Sequence, residues 1–175
     1  LLHPVLRKGW LDGTAMLGFD WKSIENRQLG VVTGSDELRI LKPGFNFEET
    51  DTHGKTFFSS TFNIGFDGVF GASDKVDNGA TRQGTGGQFF SYQGSVIRYQ
   101  RFPWQTMLTL RGNLQLTPDS LPPSEQLRLG GATSIRGYQE GEYLADYGGY
   151  GSAEFWTPSY VFPESWKLPF SNEPL

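Results

Sequence analysis

Few residues in this chain have the type and spacing that catalysis or metal binding requires. His3 and His53 are the only histidines, and they lie far apart in a chain that contains no cysteine. A zinc site or a Ser-His-Asp triad needs several such groups that converge. We therefore expect neither, and we interpret both histidines as turn residues.

Two further segments lack the spacing of known ion-binding loops. The acidic group Glu48, Glu49 and Asp51 does not follow the ligand pattern of a calcium loop, so we interpret it as a solvated strand end. Residues 84–87 are glycine-rich, but no Lys-Ser/Thr pair follows them as in a phosphate-binding loop. Spacing alone leaves a carboxylate pair for glycoside hydrolysis open, although no pair stands out. We expect no enzymatic activity, no cofactor, no metal and no bound nucleotide.

The composition is typical of a β-rich chain with many turns. Aromatic residues make up 15% of the 175 residues and there are 23 glycines, whereas the mean hydropathy is −0.42. No apolar run reaches the ~18 residues that a transmembrane helix needs. The strands of a transmembrane barrel alternate and so are not hydrophobic on average. The net charge of −4 provides no basic surface for nucleic acid.

Apolar and polar residues alternate in several segments, as they do in half-buried β-strands. The clearest is 104–116, and similar patterns occupy residues 14–21, 41–48 and 58–67. Pro43 weakens the second of these three, because proline cannot donate to a ladder. Residues 88–101 change phase, which suggests a bulge, and 150–157 form a shorter candidate. These segments predict about six strands of roughly 9–14 residues, long enough to cross a membrane at a tilt.

The connections between these strands alternate in length. A tight turn at residues 102–103 contrasts with long polar loops at 71–87 and at about 118–147. Counting strands from the tight turn places both long loops on the same side, as on the extracellular side of outer-membrane barrels. The alternative is a soluble β-sandwich, which predicts shorter strands and turns every ~8–12 residues.

The segment 121–150 contains a gapped set of motif residues. It resembles the outer-membrane transporters of two-partner secretion (TpsB), the haemolysin-activator (ShlB/FhaC/HecB) branch of the superfamily that includes the barrel-assembly proteins. The family carries Ser-Glu-Gln-Phe-x-x-Gly-Gly, then Val-Arg-Gly-Tyr/Phe, then Gly-Asp-x-Gly, and isoleucine replaces the commoner valine here. The matching residues are Ser124, Glu125, Gln126, Gly130, Gly131, Ile135, Arg136, Gly137, Tyr138, Asp146 and Gly148.

The resemblance implies an all-β fold, a transmembrane antiparallel barrel of about 16 strands that follows periplasmic POTRA domains. Residues 1–175 are then expected to be a fragment of that one barrel domain, without the POTRA domains and the last strands. The loop at about 118–147 is expected to fold into the lumen, with Arg136 paired to an acidic residue of the inner wall. Glu154 is the candidate partner in this chain, although the resemblance implies that the family's acidic residue lies on a strand beyond residue 175. Taken alone, Ile-Arg-Gly-Tyr favours an ordinary exposed loop arginine beside a glycine turn, and the surrounding motif reverses that interpretation of Arg136.

The function implied by the resemblance is secretion of an unfolded partner exoprotein through a barrel embedded in outer-membrane lipid. No nucleotide or nucleic acid is expected to take part. The polar face is expected to line the route; its residues are Asn63, Asp67, Gln105, Thr109, Arg111, Asn113 and Gln115. The alternatives are assembly or insertion of other barrel proteins and a passive porin-like channel, and POTRA domains in the parent protein would count against the porin.

Overall fold

In a computed structural model of the chain, residues 1–132 and 134–158 are described. They form a seven-stranded sheet and a separate two-stranded ribbon, and all strand pairs are antiparallel. The strands are β1 Leu2–Lys8, β2 Leu11–Gln28, β3 Val31–Thr50, β4 Gly54–Gly65, β5 Phe89–Arg101, β6 Met107–Leu116, β7 Leu127–Leu129, β8 Tyr143–Ala145 and β9 Gly148–Trp156. The only helical element in these residues is a 3-10 turn at Val69–Gly71. None of the helical structure there is long and apolar enough to cross a membrane.

The main sheet runs in the order β1-β2-β3-β4-β5-β6-β9, with β7 and β8 inserted between its last two strands. Short turns join β1 to β2, β3 to β4 and β5 to β6 at one end of the sheet. At the other end lie the loop 66–88 and the loop 117–147. The prediction that both long loops share one side is therefore confirmed, and it follows from the parity of antiparallel strands.

The two faces of the sheet differ in chemistry, as the alternation predicts. One face, which we name the apolar face, exposes large side chains, and aromatic pairs such as Phe47 and Phe58 stack across neighbouring strands with centroids 6.4 Å apart. Exposed apolar side chains on this scale need a lipid or protein environment. Its exposed large residues include Leu17, Phe19, Trp21, Phe45, Phe47, Phe58, Val96, Leu110, Leu114 and Leu116.

The opposite face, which we name the polar face, carries buried and half-buried hydrophilic side chains. Asn63, Thr109 and Gln115 are at most 2% exposed there, and Asn63 donates to the hydroxyl of Ser91 on the next strand at 3.1 Å. A barrel places this face toward its lumen.

Strands β2 and β3 are much longer than a membrane crossing requires. They contain 18 and 20 residues, whereas about 9–11 tilted residues suffice. Their far halves extend beyond the end of β4, because β4 pairs with β3 only from Ile40 onward. The loop 66–88 bonds the remaining edge of β3, with Phe66 N to Arg39 O at 3.0 Å and Ser73 N to Glu37 O at 2.8 Å. This contact covers an edge that would otherwise be open to pairing.

Several details differ from the sequence prediction. Strand β1, with Pro4 on an edge and Val5 at a register shift, was not predicted, and His3 lies in it rather than in a turn. The suggested bulge in β5 is wrong, because its register with β4 and β6 is continuous. Ile97 and Tyr99 simply lie on the polar face there.

Two of the proposed route residues lie outside the strands. Gln105 has φ 57° and belongs, with Trp104, to the turn before β6. Asp67 follows the end of β4 and is exposed. Positive φ values at two successive non-glycine residues cannot continue a strand, which is why the alternation overextends here. Pro43 does lie inside β3, where no partner on β4 is opposite it in the ladder.

Candidate functional site

The loop 117–147 lies against the polar face of the sheet. Gln115, the penultimate residue of β6, donates its side-chain amide to the main-chain oxygens of Glu125 at 3.1 Å and Asp146 at 2.9 Å. Leu121 is fully buried in a small apolar cluster with Leu38, Ile40 and Phe89. One buried glutamine thus ties both ends of the loop to the wall. We name these ends, residues 121–126 and Asp146, the loop base.

Glu125 is the most buried carboxylate of the loop. Its side chain is 5% exposed and accepts from Lys22 Nζ at 2.5 Å. Lys22 lies on β2, in a row of alternating charge in which Asp20 also contacts Lys42 at 2.6 Å. A buried carboxylate is costly unless a cation pairs with it, so this contact joins the loop base to the second strand of the sheet.

The carboxylate of Asp146 accepts several hydrogen bonds in the loop base. Its Oδ1 accepts from Gln126 Nε2 at 2.8 Å and from Leu121 N at 3.2 Å. Arg82, from the loop 66–88, donates to both of its oxygens at 2.6 and 3.1 Å. The hydrogen bond from Arg82 is the main reason that the pKa of Asp146 lies below its ordinary value. Partial burial raises this pKa, whereas the hydrogen bonds from Gln126 and Leu121 lower it further.

The glycine pair Gly130 and Gly131 starts the tip of the loop with left-handed backbone, at φ 115° and 89°. A Cβ at Gly130 would lie 2.0 Å from the Gln139 oxygen, so only glycine fits there. Ser134 closes the turn by exchanging hydrogen bonds with Gly130, at 2.8 Å from N and 2.7 Å to O. Gly131 N also donates to Tyr138 O at 3.1 Å, and the tip is thereby folded back on itself.

At this tip Arg136 contacts Glu154 of the wall. Its Nη2 lies 2.6 Å from Glu154 Oε1, and Arg111 Nη1 of β6 lies 3.3 Å from the same oxygen. Glu154 is 19% exposed, whereas Arg136 is 72% exposed. Glu154 follows the parity of β9 onto the polar face, opposite Thr109. One carboxylate therefore faces two guanidinium groups.

The remaining motif residues each have their own local environment. Gly137 has φ 97°, and nothing lies within 4 Å of a Cβ built there, so its requirement is backbone conformation alone. The Tyr138 ring packs edge-on against Tyr143 at 5.9 Å, and Ile135 is 37% exposed. Ser124 donates to Glu125 at 3.4 Å, and Gly148 begins β9.

The sequence motif misses the wall residues that receive the loop. Lys22 could have been nominated, because alternation places it on the polar face next to Asp20. Arg82 is separated from Asp146 by 64 positions, and no local pattern signals it. Arg111 was assigned to the polar face, but its contact with Glu154 depends on the β6–β9 pairing.

An antiparallel sheet with one lipid-compatible face, one polar face and a loop held on the polar face is typical of the wall of an outer-membrane β-barrel. A family model described as haemolysin secretion/activation protein ShlB/FhaC/HecB matches residues 12–170, and the chain belongs to this family. The family and the fold place the chain in the outer membrane.

Among solved structures, CdiB from Escherichia coli matches with a TM-score of 0.76 and 24% identity. The match covers 97% of this chain and 30% of the CdiB chain, so the chain spans under a third of that relative's length. At this identity the likeness supports the fold. No curated protein matches the sequence.

Proposed function

We propose that the parent protein moves an unfolded partner exoprotein across the outer membrane through the barrel lumen. Family membership supports a transporter of the two-partner secretion type. The observation that carries the proposal for this chain is the loop 117–147, which is seated on the polar face and ends in the Arg136–Glu154 contact. A loop in this position occupies space that a passing chain needs.

Arg136 is proposed to hold the tip of the loop against the wall and release it during transport. An arginine that is 72% exposed forms a pair that water weakens. The loop base is held differently, through Glu125, whose side chain is 5% exposed. The loop thus has a firmly held base and a weakly held tip, which suits a gate that opens at one end.

Secretion by an Arg136→Ala variant of the parent protein tests this role. We expect less exoprotein in the medium and an unchanged amount of barrel in the outer membrane. Arg128→Ala is the matched control, since Arg128 is an exposed arginine on β7 of the same loop. Normal secretion by Arg136→Ala would show that the role assigned to Arg136 is wrong.

A further inference from the structure

The loop 66–88 does not cross the end of the sheet freely but follows β3 to the polar face. On the apolar side, Arg39 Nε donates to Phe70 O at 3.2 Å, and its guanidinium lies 3.7 Å from the centre of the Trp21 ring. The loop then bonds the edge of β3, where Ser35 N donates to Gly79 O at 2.8 Å. Contacts with residues 34–39 of β3 therefore fix the course of this loop.

Asp36 fastens the next residues of this loop on the polar face. It is 1% exposed, and it accepts from the Thr81 main-chain N at 3.0 Å and from the Thr81 hydroxyl. The strand comes close to the loop here, because a Cβ at Gly34 would lie 2.9 Å from Thr81 Cα. A carboxylate this buried must be hydrogen-bonded, so Thr81 is held firmly.

Arg82 follows directly and reaches the base of the other loop. Its two terminal nitrogens grip both oxygens of Asp146, and its Nη1 also donates to Leu121 O at 2.9 Å. A planar guanidinium that contacts a carboxylate at two points fixes orientation as well as distance. A continuous chain of contacts thus runs from Asp36 on β3 through Arg82 to Asp146.

We propose that Arg82 is a positioning residue that joins the two long loops into one unit and holds the loop base where Arg136 meets Glu154. The inference rests on the proposed function, in which the tip of the loop 117–147 moves and its base stays. Asp146 is connected to β9 by a single residue before Gly148. A displacement of Asp146 therefore also shifts the tip of the loop relative to Glu154.

Accessibility of the wall under the tip, in the full parent protein, tests the proposal independently of secretion. Ser152, a half-buried residue of β9 that lines the cavity between the wall and Arg136, is changed to cysteine in a background without other reactive thiols. Labelling by a membrane-impermeant maleimide is then measured in isolated outer membranes. Loss of the two-point contact in Arg82→Gln is expected to raise the labelling rate by up to about fivefold, the full effect of losing the surface ion pair that it positions.

Two variants separate positioning from general damage. Arg82→Lys keeps the positive charge but loses the planar guanidinium that contacts Asp146 at two points, and we expect an intermediate labelling rate. Arg27→Gln is the matched control, because two nitrogens of Arg27 also donate to a carboxylate, both to Glu25 Oε2 at 2.7 and 3.0 Å, yet its side chain is 65% exposed. We expect it to label at the wild-type rate.

Wild-type labelling in Arg82→Gln, together with fast labelling in Arg136→Ala, would overturn the proposal. If Arg82→Gln fails to reach the membrane, Asp146→Asn replaces it, because asparagine keeps an acceptor oxygen for Leu121 N and loses the charge. Fast labelling in either variant supports the positioning role of Arg82. Fast labelling with normal secretion would support that role and contradict the proposed role of the loop in secretion.

Discussion

Glu154 of β9 contacts two arginines with one carboxylate, so its substitution is the most informative test of how the loop tip is held. Arg136 and Arg111 both meet Glu154 Oε1, at 2.6 and 3.3 Å. Glu154→Gln removes the charge with little change of shape and leaves two guanidinium groups without their shared carboxylate. We expect the tip to leave the wall more often as a result.

The magnitude follows from exposure. Arg136 is 72% exposed, so the pair falls in the range of surface ion pairs, about 0.5–1 kcal/mol. At about 1 kcal/mol the ratio of docked to released tips changes about fivefold. We expect this change in the maleimide labelling of Ser152→Cys under the tip, both for Glu154→Gln and for Arg136→Ala.

A double-mutant cycle separates this contact from unrelated effects. If Arg136 and Glu154 act through each other, the double variant labels no faster than either single variant, and the coupling is about 1 kcal/mol. Arg111→Gln is the control, since it leaves the Arg136 contact in place and is expected to label at or below the wild-type rate. Additive effects, with coupling below about 0.3 kcal/mol, would refute the reasoning.

Three further predictions concern the loop base and the tip backbone. Lys22→Gln leaves Glu125 buried without a cation and should lower the free energy of unfolding of the barrel, measured by urea denaturation, by about 1–3 kcal/mol. The matched surface change Lys55→Gln should lower it less, and equal urea midpoints for the two variants would contradict the role of the Lys22 pair. Because the pKa of Asp146 is lowered below 3.8, its contribution to holding the base is complete above the unfolded pKa of about 3.9 and is lost as pH falls through the folded value. The labelling rate, divided at each pH by that of an exposed reference cysteine because maleimides react with the thiolate, should therefore stay constant from neutral pH to about pH 5. A rise of this ratio within that range would contradict the Arg82–Asp146 account. Gly137→Ala, at φ 97°, should cost about 1–2 kcal/mol in tip docking through backbone strain alone, seen as faster labelling, and an unchanged rate would show that the tip backbone readily adopts another conformation.

The sequence was sufficient to predict the two faces of the sheet and the side on which the long loops lie. Alternation of apolar and polar residues reports directly on burial, and strand parity then orders the loops. The far halves of β2 and β3 were missed, because Ser23, Glu25 and Arg27 continue the outward row of Trp21 with polar residues. Above the membrane both faces of a strand can be polar, and the periodic signal disappears.

The loop site was only partly predictable. Arg136, Glu154 and the motif residues around them are nominated by a resemblance and by parity. Arg82 and Asp36 cannot be nominated in this way, because their roles depend on where the loop 66–88 crosses β3. Such contacts between distant segments carry no local pattern, and only the folded chain brings them together.

Quantitative proteomics of a strain that lacks the parent gene tests the central claim most directly, with the culture medium and the outer membrane compared. The account predicts the loss of one or a few large proteins from the medium and an unchanged set of barrel proteins in the membrane. A broad fall in many barrel proteins, or an inviable strain, would contradict secretion as the function and indicate a general assembly factor.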